Sequence, residues 1–151
     1  LVGDGPLRDR LQRAHPDSLF CGTRTGEALA QHYASADLFL FPSQSETFGN
    51  VVLEAMASGL GVVAFDHAAA HEHIQDGING RKLAMDDSEG FSLAAMSLAD
   101  QRTRLDKVRT QAREHAESLD WAVLARSFEQ HLFRQPQETP ENGAEQSYAG
   151  F

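Results

Sequence analysis

The sequence predicts an α/β protein built on a parallel sheet with helices on both faces. Two observations carry that expectation. Short apolar runs alternate with stretches whose apolar residues recur at helical spacing, the signature of strands joined by helical crossovers. Asp37-Leu38-Phe39-Leu40-Phe41 and Gly61-Val62-Val63-Ala64-Phe65 are moreover continuous apolar runs, as expected of strands covered on both faces.

The elements follow in order. Leu1-Val2-Gly3 reads as a strand end, and Asp4-Gly5-Pro6 as a turn whose Pro opens a helix carrying Leu7, Leu11 and Ala14. Ser18 to Gly22 reads as a short strand. Thr25 is placed to cap a helix bearing Ala28, Leu29, His32 and Tyr33, with Glu27 in its first turn. The strand closed by Pro42 leads through a polar turn into a helix from about Gly49 to Ser58. After the Gly61 strand come a loop, His67 to His71, a short helix near Glu72 to Gln75, a turn at Asp76-Gly77-Ile78-Asn79-Gly80 and a strand at Arg81-Lys82-Leu83. Asp87 and Ser88 cap a helix with Phe91, Leu93, Ala94, Met96 and Leu98. Arg102 to Leu119 reads as a charged surface helix, and Asp120 caps a last one with Trp121, Leu124, Ala125, Phe128 and Leu132. From Gln135 the polar composition predicts a disordered tail. The expected organisation is one domain over residues 1–134 and a tail over 135–151.

At 151 residues the chain is long enough for one sizeable core. Its net charge of -9 argues against a general nucleic-acid surface. The single cysteine, Cys21, excludes an intramolecular disulfide and reads as a small buried hydrophobe. No apolar run reaches the roughly 20 residues of a membrane span. The chain opens at Leu1 in mid-pattern, which reads as a piece of a longer protein whose start lies upstream.

The segment with the most chemistry is Pro42 to Gly59. Glu46 precedes the helix and Glu54 lies inside it, seven residues between them, about two helical turns apart. Gly49 allows a ligand close to the backbone. The amides at the helix start favour an anion. The arrangement suits a ligand with hydroxyl-rich ends joined by phosphate.

Six elements in order over about eighty residues resemble the carboxyl-terminal domain of a family 4 glycosyltransferase with the GT-B architecture. They are Leu1-Val2-Gly3-Asp4-Gly5-Pro6-Leu7; Phe20-Cys21-Gly22; Ala36-Asp37-Leu38-Phe39-Leu40-Phe41-Pro42-Ser43; the paired-glutamate stretch from Glu46 to Gly59; Glu72; and Asp76-Gly77-Ile78-Asn79-Gly80. The resemblance implies a Rossmann-like sheet forming one half of that architecture. It also implies a retaining transferase that takes a UDP- or GDP-linked sugar and passes the sugar to a glycolipid or polysaccharide acceptor held by a preceding domain. It implies that Glu46 lies beside the donor sugar as the catalytic glutamate. Phe48, Gly49, Asn50 and Val51 would meet the sugar and diphosphate, and Glu54 would bind the ribose hydroxyls. No cofactor or metal is implied. The expected location is the cytoplasm, with the inner membrane face as a second station for the parent protein.

The family's diphosphate-binding Arg and Lys are expected upstream of Leu1, and within its own span the chain departs from the family pattern in two places. Gly61 stands where the family often has Pro, and His67-Ala68-Ala69-Ala70-His71 replaces a glycine-rich loop. His67, His71 and His73 with Glu72 are irregularly spaced for a metal site and read as a polar loop; His67 or His71 near the donor is the sharper reading. Ser43 and Ser45 lack a glycine elbow and read as turn residues. Two further readings stand beside the transferase: a sugar-nucleotide epimerase domain, and a truncated domain that binds nucleotide or a partner without catalysis. The isolated chain is expected to have little or no transferase activity.

Overall fold

Among the described residues three strands, β1 (Leu38–Phe41), β2 (Gly61–Phe65) and β3 (Arg81–Leu83), lie in that order, all parallel. Leu38 pairs with Gly61 and Phe41 with Ala64; Val63 pairs with Arg81 and Phe65 with Leu83. The structure, a computed structural model, describes residues 1–45 and 50–119. The chain divides after Ser118, and the expected last helix and polar tail lie outside the described residues. The helices are α1 (Arg8–Ala14), α2 (Gly26–Ala34), α3 (Asn50–Ala57), α4 (Ala68–His73), α5 (Ser88–Asp100) and α6 (Arg102–Ser118).

All five residues of β2 are buried, and the period-2 geometry of a strand splits them between two cores. Val62 and Ala64 join Val52, Ala55 and Met56 of α3 and Ala69 and Ala70 of α4. Val63 and Phe65 join Phe91, Ala94 and Leu98 of α5. The α6 helix serves both, Ala112 in the first and Val108 in the second. Each fully buried Val or Leu contributes roughly 1.5–3 kcal/mol. The sheet is therefore covered on both faces at β2, as the continuous run Gly61 to Phe65 predicts.

Local signals explain the helix ends. The Asp87 carboxylate accepts from the Gly90 amide at 2.8 Å and caps α5. Gly59, at φ +74, closes α3: the Leu60 amide donates to the Ala55 carbonyl at 3.1 Å. Thr25 occupies the N-cap position of α2, but its side chain makes no capping bond.

Several expectations are corrected. Leu1 to Gly3 and Ser18 to Gly22 form no strands; a single bridge joins Gly3 to Gly22. Both glycines have positive φ, +123 and +70, so the chain leaves the extended conformation where a ladder would grow. The β1 strand is only half-covered, with Leu40 49% exposed, because among the described residues it pairs with β2 alone. The α4 helix spans Ala68–His73, earlier than the expected Glu72 to Gln75, since three alanines are strong helix formers. Leu93 and Met96 of α5 point outward. The α6 helix is more than a charged surface: Leu105, Val108 and Ala112, spaced by three and four, are buried.

Gly61 has a packing reason. A Cβ there would lie 2.6 Å from Leu105 Cδ1 and 3.0 Å from Leu38 Cδ2. The missing side chain lets α6 press against the start of β2.

Candidate functional site

The site-bearing turn leaves the carboxyl end of β1, where parallel sheets bind ligands. Ser43 Oγ donates to the Ser45 carbonyl at 3.0 Å. Gln44 Nε2 donates to the Met85 carbonyl at 3.1 Å, tying the turn to the chain just after β3. Residues 46–49, and with them the expected site residues Glu46, Phe48 and Gly49, lie outside the described residues.

The α3 helix resumes the site at Asn50. Val52, Ala55 and Met56 point into the core, which fixes the helix rotation. Asn50 and Glu54, four apart, share an exposed face, and Val51 is half-buried between them and the core. No acidic residue occupies the first turn, so nothing there opposes an anion at the helix start.

Glu54 has a partner that local sequence does not reveal. Tyr33, on α2, donates its hydroxyl to Glu54 Oε2 at 3.2 Å. Tyr33 is half-buried against Phe39, ring centroids 5.8 Å apart, and Phe39 stacks on Phe41 at 5.6 Å. Burial, the Glu54 charge and their hydrogen bond push the Tyr33 hydroxyl up to about 12. It therefore stays a proton donor at neutral pH and holds one oxygen of the Glu54 carboxylate. Twenty-one residues separate the pair; helical periodicity places Tyr33 on the inner side of α2 and stops there.

A second polar cluster follows β2. Asp66 Oδ1 accepts from His71 Nδ1 at 2.8 Å and lies 3.5 Å from Lys82 Nζ. Lys82 Nζ also donates to the His71 carbonyl at 3.0 Å. The His71 hydrogen bond, with Lys82 adding its charge, holds the Asp66 carboxyl below the usual range against the opposing effect of burial. Asp66 follows the carboxyl end of the parallel strand β2, the one sequence signal that points to it. His73 lies apart from this cluster; burial and the nearby His115 push its imidazole down. Among the described residues no group of three His, Cys, Asp or Glu side chains is placed to hold a metal ion, and no helix is long and apolar enough to cross a membrane.

Comparisons with known proteins match this architecture. Residues 1–101 match the family model described as "Glycosyl transferases group 1". The chain is 38% identical over 125 residues to sulfoquinovosyl transferase SQD2 of Arabidopsis thaliana, covering 80% of this chain and 24% of that protein. It is 36% identical over 132 residues to a GDP-mannose-dependent alpha-mannosyltransferase of Corynebacterium glutamicum, covering 87% of this chain and 32% of the relative. Among solved structures, HepE of Anabaena in complex with UDP and glucose superposes with a TM-score of 0.71 at 24% identity, over 87% of this chain and 39% of that one. TarM of S. aureus superposes with a TM-score of 0.74 at 21% identity, over 89% and 28% of the two chains. These two likenesses support the α/β fold. The chain belongs to the group 1 glycosyltransferases, and it spans about a quarter to a third of the length of the two curated relatives.

Proposed function

We propose that this chain is the donor-binding part of a retaining glycosyltransferase of the GT-B architecture, family 4, and that it holds a nucleotide-diphosphate sugar at the start of α3. The observation that carries the reading is the exposed face of α3: Asn50 and Glu54 stand together beside the carboxyl end of a parallel sheet, in a chain of the group 1 family. The first-turn amides meet the diphosphate, Glu54 accepts the ribose hydroxyls, and Glu46 lies beside the sugar. As the glycosidic bond breaks, charge builds on the departing diphosphate, and donors fixed on it lower the barrier. Glu46 stabilises the oxocarbenium-like sugar or holds one of its hydroxyls. The backbone of Phe48, Gly49, Asn50 and Val51 is assigned to the sugar and diphosphate.

The complex of HepE with UDP and glucose and the GDP-mannose dependence of the Corynebacterium relative support a UDP- or GDP-linked donor. The family match favours transfer over epimerisation. The acceptor, a glycolipid or saccharide, belongs to a domain preceding this one. The catalysis takes place in the cytoplasm or at the inner membrane face.

The test is made in the full-length protein. Glu54→Ala weakens binding of UDP or GDP, measured by calorimetry, by about tenfold, the loss of hydrogen bonds to a charged group. Glu46→Ala lowers turnover at least a hundredfold with less than a threefold change in nucleotide affinity. Negligible effects of both substitutions would remove the case for a donor site.

A further inference from the structure

The Asp66–His71–Lys82 cluster is the arrangement that the donor-site reading leaves unused. Its geometry fixes which ring nitrogen of His71 faces Asp66 with a proton. The Asp66 carboxyl is held in its ionised form, and a carboxylate only accepts hydrogen bonds. The proton of the His71–Asp66 bond therefore sits on His71 Nδ1. In the neutral ring this leaves Nε2 with a lone pair, an acceptor aimed away from Asp66. The side chain of His71 is 67% exposed, so that acceptor is open to a ligand.

The surroundings hold the ring in place. Lys82, on β3, grips both the Asp66 carboxylate and the His71 main chain. Ala69 and Ala70 are buried, which anchors the turn of α4 that carries His71. Ala68, at the start of that helix, has φ +46, a conformation that costs a non-glycine residue energy and persists only where the surroundings impose it.

The cluster also lies at the correct end of the sheet. Asp66 directly follows β2, whose Ala64 pairs with Phe41, and Phe41 is the last residue of β1 before the site turn. Adjacent strands run roughly 4.8 Å apart. The α4 helix packs against α3, which carries Asn50 and Glu54.

We infer that His71, oriented by Asp66 and the Lys82 clasp, is a binding residue for a hydroxyl of the donor sugar, accepting a hydrogen bond at Nε2. A hydroxyl fits better than a phosphate. A phosphate would require a donor at Nε2, and the adjacent Asp66 charge opposes an anion. The inference rests on the reading of the chain as a nucleotide-sugar binder.

Calorimetry on the full-length protein tests it with four probes: UDP, UDP-glucose, GDP and GDP-mannose. In His71→Ala, the Kd of the sugar nucleotide rises about fivefold, the worth of one hydrogen bond, and that of the matching nucleotide diphosphate stays unchanged. His71→Gln, which keeps an acceptor, recovers part of the loss. Asp66→Asn weakens the sugar nucleotide selectively and by less than His71→Ala, because the ring remains but loses its fixed orientation. Equal loss for nucleotide and sugar nucleotide, or no change in either, would overturn the inference while leaving the donor site standing. Failure of the unsubstituted protein to bind any of the four probes would overturn the donor site as well.

Discussion

Removal of the Tyr33 hydroxyl probes whether α2 sets the position of Glu54. Tyr33→Phe keeps the ring against Phe39 and deletes only the donor 3.2 Å from Glu54 Oε2. That distance is long for an O–H···O bond, so its net worth lies at the lower end, about 1 kcal/mol. If the bond orients the carboxylate for ribose, nucleotide affinity in the full-length protein falls about three- to fivefold, and folding stability changes by less than about 1 kcal/mol. The double variant Tyr33→Phe/Glu54→Ala then binds no more weakly than Glu54→Ala alone, because contacting residues are not additive. Calorimetric Kd values for the four proteins decide the matter. Full additivity, or an unchanged Kd in Tyr33→Phe, would refute the positioning role. The alkaline limb of stability gives an independent reading. The native hydroxyl titrates near 12 and the unfolded one near about 10. A raised pKa stabilises the protonated native form, so the contribution is complete below pH 10 and is lost as pH rises towards 12. Tyr33→Phe lacks that decline, and the difference between the two proteins' denaturation midpoints narrows over that window.

Two further outcomes concern the scaffold. Asn79→Ala destabilises the protein by about 1–3 kcal/mol in denaturant titration: the side chain is buried, accepts from the Gln75 amide at 2.7 Å and donates to the His73 carbonyl at 3.0 Å, and two partly buried backbone groups lose their partners. Arg109→Ala costs about 1–2 kcal/mol of stability, since Arg109 Nε donates to the Gly59 carbonyl and Nη1 to Asp37 Oδ1, both at 2.7 Å; nucleotide Kd stays within twofold of the unsubstituted protein.

Local signals made part of this structure legible in advance. The α5 start follows from Asp87, because a cap needs only the next three residues. The two cores follow from the unbroken run Gly61 to Phe65, since a strand with no polar face has to be covered twice. What depends on distant partners was not legible. The run Leu38 to Phe41 looks the same whether one or two strands flank it, and Leu40 is exposed because only β2 is its neighbour among the described residues. Three inward residues in α6 were hidden by the charges around them, yet all three are buried. On α3, helical spacing puts Asn50 and Glu54 on one exposed face. The Tyr33 contact and the Lys82 clasp join residues from separate elements, where periodicity has no reach.

The two ends of the sheet carry different kinds of polar chemistry. At the amino ends of β1 and β2, the charges are spent on the fold. Asp37 Oδ1 receives Arg102 and Arg109, Arg109 also takes the Gly59 carbonyl, and Gly61 admits Leu105 beside them. These groups face one another across short distances and lock α6 to the strand starts. At the carboxyl ends, Glu54 and His71 each use one polar atom within the protein and leave another outward. A carboxylate oxygen and an imidazole nitrogen held in this way cost little stability, because water satisfies them until a ligand does. They are also pre-oriented, so a ligand that replaces the water loses less entropy on binding. On the proposed donor reading, substitutions in His67-Ala68-Ala69-Ala70-His71, where α4 begins, change ligand affinity while leaving the Asp37–Arg102–Arg109 lock at the opposite end of the sheet intact.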